Sequence, residues 1–289
     1  MSRLIVNADD FGLTAGVNRA ILELYQAGVV TSTTLMARAG ATQDAIGLAL
    51  STPSLGVGCH VVLVDGYPVL PRREISTLID ERTGRFEPTP GAFLKRLLAR
   101  RIRFSEIEAE AGAQIELLQS KGLALTHIDT HKHTHIFPAV LRPVLHAARS
   151  GGVRAVRNPF EPTWSLHATP GALWLRRAQV SLLRRFEPVF RRAVAEEGFT
   201  TTGGALGVLA TGTLDSTAVS SILGGIPPGT WELVTHPGYN DSDLARAHTQ
   251  LLASRQTERS ALESWQPIPG IELISFADLC AAEGIQRQS

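Results

Sequence analysis

Short apolar runs alternate along this chain with stretches whose apolar residues recur at helical spacing. RLIVNA (3–8) has the length and composition of a buried strand, and TAGVNRAILELYQAG (14–28) follows it. In the second stretch Val17, Ile21, Leu24 and Tyr25 fall on one face of a helix that Thr14 can cap and Gly28 can stop. VVTSTTLMA (29–37) is β-branched and strand-like, ATQDAIGLALS (41–51) is helical, and LGVGCHVVL (55–63) predicts a third strand. A loop rich in proline, glycine and charge (65–91) leads to two helical stretches, near 91–101 and 105–121. LALTHID (123–129) predicts strand four, PAVLRPVLHAARSGG (138–152) its helix, and VRAVR (153–157) strand five. TWELVTHPG (230–238) and IELISF (271–276) are later strands, each followed by helical sequence.

Strands alternating with helices imply parallel βαβ units. This many of them predict an α/β chain forming one domain over residues 1–289, a distorted (β/α) TIM-like barrel with parallel strands. Residues 65–121 and 158–200 read as excursions at the barrel rim, and no internal repeat or linker divides the chain.

Composition narrows the class. With 44% hydrophobic and 19% charged residues the chain is a packed globular protein, not a disordered one. A net charge of +1 supplies no field for nucleic acid, so none is expected as a partner. Two cysteines, Cys59 and Cys280, make no disulfide framework and suit reduced thiols. MSRLIVNADDFG ends its apolar run in two aspartates and reads as a strand, not a signal peptide. No apolar stretch approaches the roughly 18 residues of a membrane span. A soluble, cytoplasmic protein is expected.

The polar residues are not scattered. Asn7, Asp9 and Asp10 end the first strand, His60 lies near the end of the third, His127, Asp129 and His131 end the fourth, and His236 ends a late one. In a parallel barrel all such ends open on one face, where active sites sit. Singly, each has a plainer reading: Asp10 as a helix cap, His60 as a core histidine, His236 as a turn bridge, Asp241 and Asp243 as caps. Together they predict one pocket.

HIDTHKHTH (127–135) holds four histidines. His127 and Asp129, two apart on a strand, face the same side. His131 lies just past the strand end, where it can turn over the barrel mouth, and the Lys132 cation is expected to point away from a metal. His133 and His135 approach the next helix, which Pro138 helps to start, and suit the pocket wall. A catalytic site of the zinc type uses about three His or carboxylate ligands and leaves a position for water. Asp10, His60 and His131 supply such a set, Asp9 can deprotonate the water, and Asp129 can orient an imidazole.

The stretches NADDFGLTAGVNRAI (7–21), GVVTSTTLM (28–36), GCHVVL (58–63), THIDTHKHTHIFP (126–138) and ELVTHPGY (232–239) resemble, in order, those of the YdjC-like carbohydrate deacetylases. The resemblance implies a distorted (β/α) barrel, one divalent metal ion and removal of N-acetyl groups from amino sugars. It carries the ligand roles to Asp10, His60 and His131, the catalytic base to Asp9, and to His236 a position suited to protonating the leaving amine. Zinc or magnesium is the first expectation for the metal, with cobalt, nickel or manganese as alternatives. His127, Asp129, His133, His135, Arg157, Asn158 and Tyr239 lie in or beside matching stretches and are expected to support the ligands or touch substrate. Cys59 stands where relatives often have an apolar residue, and strand alternation turns it from the metal.

HKHTHIFPAVLRPVLHAAR and VRAVRNPFEP are most similar to the branch associated with hopanoid biosynthesis, which implies an N-acetylglucosaminyl bacteriohopanetetrol substrate. A chito-oligosaccharide is the alternative. From other classes, a two-metal phosphoesterase and a non-catalytic lipid- or sugar-binding protein are the rivals. Residues 171–198 carry Arg pairs at 176/177, 184/185 and 191/192 on one helical face and Leu175, Leu182, Phe186 and Val189 on another, with Pro188 expected to kink the helix. A surface helix packed on the barrel is one reading; peripheral contact with the anionic inner face of a membrane is the other. Trp164 and Trp174 are candidates to cover the cleft. The sequence is also compatible with a homodimer.

Overall fold

The computed structural model describes residues 1–171, 173–247 and 249–286. In chain order the elements are β1 (Ser2–Phe11), α1 (Ala15–Gln26), β2 (Ser32–Leu35), α2 (Thr42–Leu50) and β3 (Gly56–Val61). Then come α3 (Pro90–Leu98), α4 (Phe104–Ser120), β4 (Ile128–Thr130) and α5 (Pro138–Ser150). After α6 (Thr163–Ala168), α7 (Trp174–Leu183) and α8 (Glu187–Glu196) the chain reaches β5 (Ala205–Leu206) and α9 (Ser216–Gly224). It closes with β6 (Gly229–Thr235), α10 (Ser242–Arg246), α11 (Ala253–Ser264), β7 (Ile271–Leu273) and α12 (Phe276–Gln286).

All pairings between these strands are parallel, in the order β4-β3-β2-β1-β6-β5, with β7 beside the first residues of β1. The curled sheet is a distorted, TIM-like barrel in one domain, as its alternating pattern predicts. β1 is covered on both faces, which is why it reads as an apolar run without alternation. The Thr14 hydroxyl caps α1 by accepting from the Val17 N–H at 3.2 Å, and Gly28 at φ 75° ends the turn that follows. Pro138 starts α5 as expected.

Two expected strands differ. β4 begins at Ile128, although Thr126 N–H already donates to Val57 at 2.8 Å. Residues 153–157 form no extended strand; Val156 bridges Ile128 and Ala155 bridges Thr200, carrying the hydrogen bonding past β4 only briefly. Pro159, which has no N–H to donate, follows at once and cuts that ladder short.

The 171–198 stretch is not one helix. A 3₁₀ turn at Arg184–Phe186 separates α7 from α8, and Pro188 sits in the first turn of α8; Ala172 lies outside the described residues. The apolar positions divide: Phe186 packs on the core and Phe190 is buried, whereas Leu175, Leu182 and Val189 are exposed. Nor do the arginines form a free basic face. Arg177 donates to the Leu166 and Thr169 carbonyls, and Arg191 and Arg192 pair with Glu187 and Glu196. Trp164 stacks edge-on against Trp231 near the start of β6, away from the strand ends, and Trp174 is exposed. Among the described residues, no helix is long and apolar enough to cross a membrane.

Candidate metal and catalytic centre

The site begins with an irregularity in β1. Ala8 is level with Thr33 and Phe11 with Leu35, so Asp9 and Asp10 together face the single residue Thr34. Asp10 takes φ 66°, a left-handed conformation rare outside glycine. On a regular strand two adjacent carboxylates would point to opposite faces; this bulge sends both into the same buried pocket. Asp10 does not cap α1, a role Thr14 fills.

Asp10 Oδ1 lies 3.3 Å from His60 Nε2 and 3.2 Å from His131 Nδ1, and the two ring nitrogens are 3.1 Å apart. Buried Asp10 Oδ1 has no hydrogen-bond donor among the described residues. Three lone-pair atoms, one of them the Asp10 oxygen without a donor, thus converge as the ligands of a metal ion do. Ligands bonded at about 2.0–2.2 Å in a tetrahedral or octahedral site stand roughly 3.0–3.5 Å apart, so the spacing fits a divalent ion. The remaining Asp10 oxygen is held at 2.5 Å by Arg255 on α11. Burial opposes ionisation of Asp10, but Arg255 and both imidazoles hold its carboxyl well below the usual range.

His60 and Asp129 are direct neighbours across the β3–β4 ladder, and His60 Nδ1 meets Asp129 Oδ1 at 2.7 Å. This fixes the ring so that Nε2 faces the ligand atoms. Burial works against a charge on His60, yet the Asp129 charge and the hydrogen bonds of Asp10 and Asp129 push it up to about 10. Metal binding would therefore displace a proton there. His131 opens the turn after β4. Lys132 and His133, at φ 56° and 52°, reverse the chain, and Lys132 turns away from His131 to reach Asp65 at 2.6 Å.

Asp9, Asp129 and His60 form a second group with metal-ligand spacing. Its carboxylates are already taken by Arg157, which is fully buried. Arg157 grips both Asp9 oxygens at 2.6 and 2.7 Å, touches Asp129 and reaches Glu232 at 2.7 Å. Burial alone would raise Asp9, but the Arg157 charge and hydrogen bond hold it below its ordinary value. Asn7 donates to Asp9 at 2.9 Å, and behind Asn7 stands His127 Nε2 at 3.2 Å. Burial lowers His127 to about 3, so it is a neutral prop.

His236 follows β6, with Nε2 3.7 Å from Asp9 Oδ2 and Nδ1 3.7 Å from Glu258 Oε2. Glu258 also accepts the His236 backbone N–H at 2.6 Å. Burial disfavours the imidazolium, but the nearby Glu258 carboxylate, with the charges of Asp9 and Asp10, raises its pKa.

Other expected residues serve differently. Both ring nitrogens of His135 are engaged, by Thr130 at 2.7 Å and the Arg157 carbonyl at 3.2 Å, so it braces Arg157. His133 is driven to about 3 by burial and has a buried Nδ1 without a hydrogen-bond partner among the described residues. Asn158 accepts from Phe160 N–H and donates to the Thr202 carbonyl, shaping the backbone after Arg157 without reaching the ligands. Tyr239 is not in the pocket: the Pro237-Gly238 turn carries it over α1, between Arg19 and Arg259, with its hydroxyl on Glu23. Cys59 is fully buried, and burial raises its thiol pKa, so it offers no thiolate.

Sequence reasoning missed Thr34, Glu232, Arg255 and Glu258. Thr34 lies 3.1 Å from His60 Nδ1. Glu232, a charge inside the apolar run TWELV, carried a readable signal, and burial pushes it up to about 7 despite Arg157. Arg255 and Glu258 look like any surface pair on a polar helix, yet each is only 1% exposed.

The chain is similar to known proteins over most of its length. A "Carbohydrate deacetylase" of Thermoanaerobacter pseudethanolicus is 27% identical over 91% of this chain and 91% of its own length. A "Carbohydrate deacetylase" of Brevibacillus brevis is 43% identical over 55% of this chain; there the match spans 60% of the relative's length. A crystal structure from Enterococcus faecalis V583, of a protein described as a candidate for cellobiose-phosphate cleavage, superposes with a TM-score of 0.76. It shares 25% identity, covering 96% of this chain and 98% of that one. The family model for YdjC-like proteins matches residues 3–266. The chain belongs to the YdjC-like protein family.

Proposed function

We propose that this chain is a metal-dependent hydrolase that removes the acetyl group from an N-acetylglucosamine-type sugar. The observation that carries the reading is the unpartnered Asp10 Oδ1 facing His60 and His131, with Asp9 and His236 alongside. Asp10, His60 and His131 would hold the ion, and their nitrogen-rich set suits zinc, cobalt, nickel or manganese better than magnesium. A divalent ion at such a site supplies Lewis acidity toward a carbonyl oxygen and toward water.

The protein's own groups supply the proton transfers. Asp9, kept ionised by Arg157 and Asn7, accepts the proton of the attacking water. His236, whose cationic form Glu258 favours, donates a proton to the departing amine nitrogen. The amide C–N bond breaks, giving acetate and a free amino sugar. A two-metal phosphoesterase is disfavoured, because the Arg157 guanidinium already occupies the carboxylates of the second group.

Within this reading the substrate is N-acetylglucosaminyl bacteriohopanetetrol, with a chito-oligosaccharide as the alternative. The supports for the first are the resemblance of the segments around 131–162 and the exposed apolar side chains of α7, which suit an enzyme meeting a lipid at the inner membrane face. An acetate-release assay comparing N-acetylglucosaminyl hopanoid with diacetylchitobiose tests it. Release from neither sinks the deacetylase reading, and release from chitobiose alone sinks the hopanoid one.

A further inference from the structure

Lys95, Arg96, Arg100, Arg101 and Arg103 fall within nine positions, and no acid lies between Glu87 and Glu106. Two of the five are spent inside the fold, Arg96 on Glu87 at 2.6 Å and Arg103 on Glu106 at 2.9 Å. Lys95, Arg100 and Arg101 are exposed and, among the described residues, make no ion pair or side-chain hydrogen bond. Beside them stand two large apolar side chains that the fold does not cover. Leu98, the last residue of α3, is 75% exposed, and Phe104, the first of α4, is 52% exposed. Lys95 shares a helix face with Leu98, and Arg100 and Arg101 lie in the corner between Leu98 and Phe104.

This corner stands at the same end of the barrel as the metal centre. α4 leads into β4, so it runs against the strands, and its first residue lies beyond their C-terminal ends. Its side chains mark the levels. Gln114 exchanges two hydrogen bonds with Val62, the residue after β3, both at 2.8 Å. One turn outward Glu110 accepts from the Val69 and Leu70 N–H groups, and beyond it Glu106 accepts from Thr77. The helix from Gln114 back to Phe104, at about 1.5 Å per residue, carries the corner roughly 15 Å past the level of Val62. α7 belongs to the same end: its Arg176 reaches the carbonyl of Val208 just past β5, and Leu173, Trp174 and Leu175 at its start are exposed.

Apolar side chains set among unpaired cations on a projecting corner mark a surface that meets something else. A second copy of this chain would bring the same cations against these. A nucleic acid would meet the cations and leave Leu98 in water. A bilayer with acidic headgroups satisfies both, its phosphates facing the cations and its acyl chains receiving the apolar pair. We propose that the α3–α4 corner docks the protein on a bilayer rich in anionic lipid, with Leu98 and Phe104 entering the interface and Lys95, Arg100 and Arg101 meeting the headgroups. Docked in this way, the strand ends and the metal centre face the membrane. This pose rests on the lipid-linked reading of the substrate for what the membrane displays, whereas the binding itself is measured without turnover.

Co-sedimentation of the full chain with lipid vesicles tests the docking. Vesicles of equal parts phosphatidylcholine and phosphatidylglycerol should pellet the protein, and vesicles of phosphatidylcholine alone should not. Salt at about 0.5 M should weaken the binding. Arg100→Gln with Arg101→Gln should lower partitioning about thirtyfold, the equivalent of roughly 1 kcal/mol for each cation near an anionic surface. Leu98→Gln with Phe104→Gln should lower it at least about tenfold, since both side chains lose their burial in the interface. Thermal melting should be unchanged in both variants, because all four side chains are exposed. No preference for the anionic vesicles, or binding that survives both pairs of substitutions, would overturn the docking. So would a dimer, seen by sedimentation velocity, that Leu98→Gln with Phe104→Gln dissolves, or tighter binding to a single-stranded oligonucleotide than to vesicles. Vesicle binding without acetate release from any N-acetyl sugar would count against the deacetylase reading and leave the docking standing; acetate release by a chain that ignores vesicles would do the reverse.

Discussion

Glu258 gives the sharpest test of the proton-donor assignment. It is nearly fully buried, accepts the His236 backbone N–H at 2.6 Å and lies 3.7 Å from His236 Nδ1. Glu258→Gln keeps the shape and removes the charge. At 3.7 Å the ring is beyond hydrogen-bond reach, so what Gln removes is charge. Two unit charges near 4 Å at an effective dielectric of about 20 attract by about 4 kcal/mol, and losing that should slow a step that needs the imidazolium by up to roughly 10³-fold. The direction of the pH effect follows from the same contact. Glu258 helps hold the His236 pKa above its ordinary value, so its removal lowers that pKa. The acid is then lost at lower pH, and the alkaline limb of the kcat/KM profile should move down. Acetate release from an N-acetyl sugar measures the amide reaction, while an aryl acetate ester, whose leaving group needs no proton, serves as the internal control. The ester reaction should fall by no more than about threefold, because its barrier contains no proton donation. Equal losses on amide and ester, or an alkaline limb that stays in place, would refute the role given to His236 and Glu258.

Asp9→Asn should lower turnover by about 10²–10⁴-fold, the contribution of a general base, while metal content by elemental analysis stays near the wild type. His131→Ala should lose the ion on dialysis; full occupancy in that variant would overturn the ligand set. Arg157→Met leaves Asp9, Asp129 and Glu232 buried without their shared cation, so urea unfolding at pH 7 should show a loss of about 3–5 kcal/mol. In the wild type the depressed carboxylates Asp9 and Asp129 contribute stability that is present above their unfolded pKa and disappears only as pH falls through the folded one. In the variant burial raises them instead, so the deficit should shrink between pH 7 and pH 5; a deficit that grows would contradict the account.

Most of the barrel was legible because its strands are buried on both faces and its helices on one, which leaves two distinct hydrophobic periods in the sequence. The segment 153–157 reads as a strand by composition, but the proline two residues on removes the donor that would extend its ladder. In 171–198 the pattern showed two faces without showing which meets the barrel, since Leu175 and Leu182 are outward and the arginines largely serve local carbonyls and carboxylates. The convergence of Asp10, His60 and His131 was readable from their place at strand ends. Tyr239 was not, because the Pro-Gly turn that swings it over α1 leaves no periodic signal. Arg255 and Glu258 were invisible for another reason: on a polar helix nothing in the spacing distinguishes a buried charge from a solvated one.

Those two residues also bear on when the site comes into being. Asp10 and Arg255 are 245 residues apart, so β1 waits for α11 before its carboxylate is held. A nascent chain that has made β1 to β4 and the turn after β4 has its three proposed ligand residues but neither the clamp on Asp10 nor the carboxylate behind His236. Under the proposed function, competence thus arrives only with the docking of α11, and an assembled site reports that β1 and α11 have folded together.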